Sequence, residues 1–157
     1  MPSIELVCTD QSEPLEFSGL PFALVANREL VSHRPRPLFQ RELSRLRGCM
    51  YHVGSPQCAR LGYQGAFFAY EVLSAESRER QRRRFFEMAP KSREDFHRLV
   101  RALLDASPAH SVFFYTDWQF GPIRATRGGV ISESAFWQQH DTHQLRLNAC
   151  YTIQPDG

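Results

Sequence analysis

Lysine is almost missing from this chain: of nineteen Lys and Arg residues, only Lys91 is a lysine. A basic set built from arginine reflects either GC-rich coding, which needs no selection on the protein, or the use of planar, bidentate guanidinium groups. Long apolar runs are missing as well. No stretch approaches the ~20 apolar residues of a membrane-spanning helix. The opening "MPSIELVCTD" has neither the charged start nor the apolar run of a secretory signal. Among Cys8, Cys49, Cys58 and Cys150, no two have the spacing of a zinc knuckle or a dithiol redox motif. These absences predict a cytoplasmic protein with reduced, mostly buried thiols and no membrane partner.

The usual signatures of chemistry are scarce too. There is no G-x-S-x-G elbow and no lysine-bearing phosphate loop. "RGG" at 127–129 reads as a tight turn in which a glycine takes positive φ. "HDTH" offers His140, Asp141 and His143, but its histidines are three apart rather than the four that places two on one helix face. It reads as a solvated helix end, where histidine is favoured. No metal and no cofactor are expected, and no catalytic residue is assigned.

What is present is a globular composition. The 157 residues are 42% hydrophobic and 23% charged, which suits one domain spanning 1–157. Twelve phenylalanines serve a core or cover a surface, a homodimer seam included. The net charge of +2 is unevenly spread. Residues 1–27 hold four acids and no base, and 28–47 hold six arginines against two acids. Residues 76–101 hold nine bases against five acids, and 102–157 hold three against five. Such segregation suits a charged macromolecular partner.

The pattern predicts an α+β fold with a mixed or mostly antiparallel sheet, two main helices and a short C-terminal helix. Strands are expected at 3–8, within 20–34, and at 49–57, 65–74, 110–118 and 145–153. "RERQRRRFFEM" (78–88) is expected as the hairpin partner of 65–74, with its arginines on the open face or edge. A short amphipathic helix is expected at 38–48, ending on Gly48. The strongest helix signal is "SREDFHRLVRALLDASP". Ser92 serves as N-cap, Phe96, Leu99, Val100, Leu103 and Leu104 form one stripe, and Pro108 is the stop. Ser132 is expected to cap a short helix from Glu133 to about His140.

Between Trp118 and that cap a long loop is expected, and loops of that length are often functional. Asp117, Trp118, Phe120, Arg124 and Arg127, with Trp137 beyond the cap, form the expected partner-binding surface, because Trp and Arg are enriched in protein–protein hot spots. The competing reading packs both tryptophans into the core. The expected function is a protein-binding module, an inhibitor or immunity-type protein that neutralises a toxin or enzyme by direct contact. Two alternatives stand beside it. Arg80, Arg82, Arg83 and Arg84, followed by Phe85 and Phe86, have the composition of a groove that tracks a nucleic-acid backbone, although acids elsewhere nearly cancel the charge. "YHVGS" (51–55) resembles the nucleotide-gripping strand of ADP-ribosyltransferases. That resemblance implies NAD as a cosubstrate, with His52 on the strand and Glu133 completing the site, though the Glu-x-Glu or Gln-x-Glu pair of those enzymes is missing.

Overall fold

A computed structural model describes residues 3–19, 23–27, 39–54, 74–87, 90–117 and 126–157. Strand β1 (Ser3–Thr9) alternates Ile4, Leu6 and Cys8 with Glu5 and Val7, and all five are buried. A strand that loses water on both faces must be flanked on both edges and covered above and below. It pairs antiparallel with β3 (Gly48–Gly54) and with β4 (Val112–Asp117). The sheet is completed by β2 (Ala23–Asn27), β5 (Thr126–Ser132) and β6 (Ala149–Gln154), in the order β2-β3-β1-β4-β6-β5. β2 runs antiparallel to β3 and β6 antiparallel to β4, whereas β5 runs parallel to β6.

The helices described are α1 (Gln40–Leu43), α2 (Ala75–Phe86), α3 (Pro90–Ala106) and α4 (Glu133–Asp141). A parallel pair needs a crossover connection. Here α4 supplies it, returning the chain from the end of β5 to the start of β6. The fold is α+β with a mostly antiparallel sheet, as the alternation of patterns predicts. No helix among the described residues is long and apolar enough to cross a membrane.

One face of the sheet carries the larger core. Leu6, Tyr51, Phe114, Tyr151 and Ile153 from the strands meet Phe96, Leu99, Val100, Leu103 and Leu104 of α3 and Phe136 and Trp137 of α4. The α3 stripe falls at the predicted spacing, and each such side chain withdrawn from water contributes roughly 1.5–3 kcal/mol. The opposite face holds Val7, Met50, Phe113, Tyr115 and Cys150 beneath Phe39, with Leu43 and Leu46 packed alongside.

Several boundaries differ from the sequence expectations. α3 begins at Pro90 rather than after Ser92, because proline's missing N–H costs nothing in a first turn. Ser92 is buried inside the helix, and Asp95 is held by Lys91 and Arg98, each at 3.0 Å. The helix expected at 38–48 is the short α1, and Gly48 opens β3 instead of closing the helix. At φ +140° a Cβ on Gly48 would lie 2.0 Å from the Cys8 carbonyl oxygen, so only glycine fits.

The largest correction concerns 78–88. It is no hairpin strand; α2 occupies 75–86. The polar Ala75-Glu76-Ser77 between the two expected strands is the helix start, where the Ser74 hydroxyl accepts from the Ser77 N–H at 3.2 Å. Glu76–Arg80 and Glu79–Arg83 then form i,i+4 ion pairs. The strand expected at 65–74 lies outside the described residues except for Ser74. The C-terminal strand starts at Ala149, so Leu145 and Leu147 are buried residues of the connection that precedes it.

Candidate functional site

The loop expected after Trp118 contains a strand. β5 covers 126–132, and its pairing with β6 was hidden by two adjacent glycines. Gly128 lies against the Tyr151 ring, where a Cβ would come within 2.1 Å of a ring carbon. Gly129 has φ +71°, and the register shifts between Arg127 and Gly129. The positive φ expected in "RGG" is therefore present, but in a bulge within a strand rather than in a turn.

β5 is an edge. β6 flanks it on one side and no described strand on the other. Arg127, Gly128, Gly129 and Val130 are exposed in succession. Val130, at 67% exposure, is the exposed large hydrophobic residue of the described chain. An edge of this kind presents unpaired backbone N–H and C=O groups to a further strand.

A cleft of about 370 Å³ adjoins the edge, between α1 with the turn after it and strands β4, β5 and β6. Phe113, Leu46 and Thr152 supply its apolar and neutral lining, and Arg41, Arg45, Arg127 and Glu42 its charge. Arg127 donates to Glu42 in an ion pair. Burial pushes the Glu42 carboxyl up, but the Arg127 hydrogen bond and the nearby Arg127 and Arg41 charges prevail and hold it below its ordinary value. The same hydrogen bond raises Arg127. Arg41 and Arg45 form no ion pair among the described residues.

One register row lines up polar side chains across this face. His52 lies opposite Glu5, Glu5 opposite Tyr115, Tyr115 opposite Cys150 and Cys150 opposite Arg127. His52 Nδ1 stands 2.5 Å from Glu5 Oε1. Burial raises the Cys150 thiol, as does the Glu42 charge, while Arg127 opposes them. Cys8 and Cys49 are also buried thiols, with Cys8 pushed up to about 12, first by burial and then by Cys49. Cys58 lies outside the described residues.

The fold separates the two residues that the transferase resemblance joins. His52 on β3 and Glu133 at the end of β5 stand four strand intervals apart, about 19 Å at the usual ~4.8 Å spacing. Glu133 instead opens α4, where a carboxylate suits the helix dipole, and it is paired to Arg101 at 2.5 Å. Ser132 caps that helix as expected, its hydroxyl accepting from Ala135 N–H at 3.3 Å.

The expected partner-binding set divides. Trp118, Phe120 and Arg124 lie outside the described residues, and Asp117 ends β4. Arg127 is exposed beside the cleft. Trp137 is corrected to a core position at 5% exposure, edge-on to Phe96 and Phe136, with the Arg93 guanidinium 5.6 Å from its ring centre. Beside it His140 is buried, with its Nδ1 3.2 Å from Asp141 Oδ1, so this histidine is a core residue and not part of a solvated end. No three His, Cys, Asp or Glu side chains among the described residues converge as a metal site.

Three arginines of α2 are engaged by acids of the same helix. Arg80 pairs with Glu76 and Arg83 with Glu79. Arg82 pairs with Glu79 at 2.5 Å and also donates to the carbonyls of His143 and Leu145. Hydrogen bonds from Arg82 and Arg83 hold Glu79 down to about 2. Arg84 sits on the same helix. With five arginines against two acids α2 stays net basic, although Arg80, Arg82 and Arg83 of the groove suggested in sequence by Arg80, Arg82, Arg83 and Arg84 are engaged by Glu76 and Glu79. No protein-family model, curated protein or solved structure is recognisably similar to this chain.

Proposed function

We propose that this protein acts by binding another protein through the β5 edge. The observation that carries the reading is the exposed run Arg127–Val130 on β5, which is an edge strand among the described residues. An extended segment of the partner would add a strand to β5, its backbone supplying the hydrogen bonds and its side chains the specificity. Arg127, with Arg41 and Arg45 nearby, favours an acidic segment. The specific form we favour is an inhibitor or immunity-type protein of the cytoplasm, holding a toxin or enzyme inactive; a homodimer through the same edge is the competing use.

The test is capture from lysate of the source organism, followed by titration of the purified partner against wild type, Val130→Lys and Arg127→Glu. Both substitutions should weaken a one-to-one complex at least about tenfold, since edge charge opposes strand addition and charge reversal repels an acidic segment. Amide exchange at 126–132 should slow on binding. A partner that binds all three proteins equally, with no protection of β5, sinks the proposal. So does substrate turnover by the purified chain alone.

A further inference from the structure

The cleft beside β5 has properties that strand addition does not need. It is a concavity of about 370 Å³, within the roughly 300–1,000 Å³ range of small-molecule pockets. Its surface is mostly apolar, and the residues around it are Phe113, Leu46, Thr152, three arginines and a single acid, Glu42. Arg127 is engaged by that carboxylate, Glu42. Arg41 and Arg45 are exposed and without an ion pair among the described residues. The cleft thus has, beside an apolar surface, two permanently charged arginines that form no ion pair among the described residues, of which Arg41 also acts on Glu42 through its charge.

We infer that this cleft binds a small organic phosphate: a phosphate monoester whose ester group is aromatic or otherwise apolar. Two guanidinium groups with no ion pair among the described residues match a head group of charge about −1.5 to −2 that carries three acceptor oxygens. A lone carboxylate ligand carries one charge and would balance only one of them. The apolar body rests against Phe113 and Leu46, withdrawn from water, while Thr152 offers a hydroxyl beside it. Glu42 limits the affinity. It is the acid of the cleft, and it holds the third guanidinium.

This assigns a sign to each variant. Arg41→Gln/Arg45→Gln removes the head-group contacts and should weaken binding at least about tenfold, as for two lost charge-assisted hydrogen-bonding groups. Glu42→Gln keeps a side chain of the same shape and releases Arg127, and should tighten binding about two- to fivefold. Added salt should weaken binding in every variant.

The experiment is calorimetric titration of the full chain with phenyl phosphate, inorganic phosphate and benzoate, on wild type and both variants. Circular dichroism checks that the variants are folded. The expected result is saturable binding of phenyl phosphate, weaker binding of inorganic phosphate and of benzoate, loss in the double arginine variant and a gain in Glu42→Gln. Absence of saturable phenyl phosphate binding overturns the inference, as does equal affinity in the double arginine variant. Inorganic phosphate binding as tightly as phenyl phosphate overturns the apolar part, and benzoate binding as tightly overturns the phosphate. These outcomes do not depend on a protein partner, so they stand or fall separately from strand addition at β5.

Discussion

Arg82 of α2 donates to the carbonyl of Leu145 at 2.7 Å, joining the most arginine-rich helix to the segment that leads into β6. Its side chain is only 16% exposed, unlike its neighbours Arg80 and Arg83 at 58% and 61%. We expect Arg82→Ala to cost about 1–2 kcal/mol, the scale of charge-assisted hydrogen bonds with partly buried carbonyls left unpaired. Arg80→Ala and Arg83→Ala should stay within about 0.5 kcal/mol. Arg82→Lys should not restore stability, because an ammonium cannot reach Glu79 and two carbonyls as a planar fork does. Urea unfolding of the four variants decides this; equal costs for Arg82, Arg80 and Arg83 would reduce Arg82 to one surface charge among several.

Gly128 makes the tightest glycine contact with a side chain in the described structure. Gly128→Ala should destabilise by about 1–3 kcal/mol, because the Tyr151 ring belongs to the main core and has little room to withdraw. Gly129→Ala meets open space but must hold φ +71°, so its cost is the backbone strain alone, about 1–2 kcal/mol. Thermal melting with tyrosine near-ultraviolet dichroism separates them: only Gly128→Ala should alter the Tyr151 environment. A dichroism change in Gly129→Ala and none in Gly128→Ala contradicts this assignment.

Local signals were the legible ones. The α3 stripe and the Ser132 cap depend on residues within one or two turns, and both appear where the spacing places them. The α2 helix was hidden because its stabilising contacts are ion pairs rather than an apolar stripe, and its Ser74 cap reads as the last residue of a strand at 65–74. β5 was hidden because Gly128, Gly129 and a bulge interrupt alternation, and its partner strand lies downstream across a helix. The cleft could not be read at all. Arg127 meets Glu42 across 85 positions, and nothing in "LFQRELSRLRG" marks Glu42 as a partner for a distant arginine. Residue type alone suggests a surface for Trp137, whereas its burial is decided by the helix face that α4 turns toward Phe96 of α3.

Acid stability should fall in two stages. Burial lowers His140 below its ordinary value of 6.5, and the Asp141 carboxylate only partly offsets this. Asp141 is held down to about 2 from 3.8, chiefly by its hydrogen bonds from Arg93 at 2.8 and 2.5 Å. In both cases the unfolded chain binds the proton more readily than the folded one. Stability is therefore present above the unfolded pKa and is lost as pH falls through the folded value. The upper stage begins near pH 6.5 and belongs to His140; the lower lies between about 4 and 2 and is shared by Asp141 with Glu79. Melting temperature against pH should lose its upper slope in His140→Phe and part of its lower slope in Arg93→Gln. Unchanged slopes in both variants would remove this coupling.

An open edge strand invites pairing with any extended chain, so a protein that keeps one needs a defence against copies of itself. β5 carries two. Arg127 places a charge at the start of the exposed run, and the Gly129 bulge breaks the regular spacing that a second strand would need to match. Val130 beside them is the apolar attraction that these features restrain. Arg127→Val should therefore increase self-association, since it leaves two β-branched apolar residues on the edge and removes the charge. Val130→Lys should suppress association below wild type. Arg127→Gln separates loss of charge from gain of apolar surface and should fall between wild type and Arg127→Val. Sedimentation velocity across a concentration series measures this order directly. If Arg127→Val sediments as wild type does, the edge is protected by something other than its own sequence, and a partner segment would meet that obstacle too.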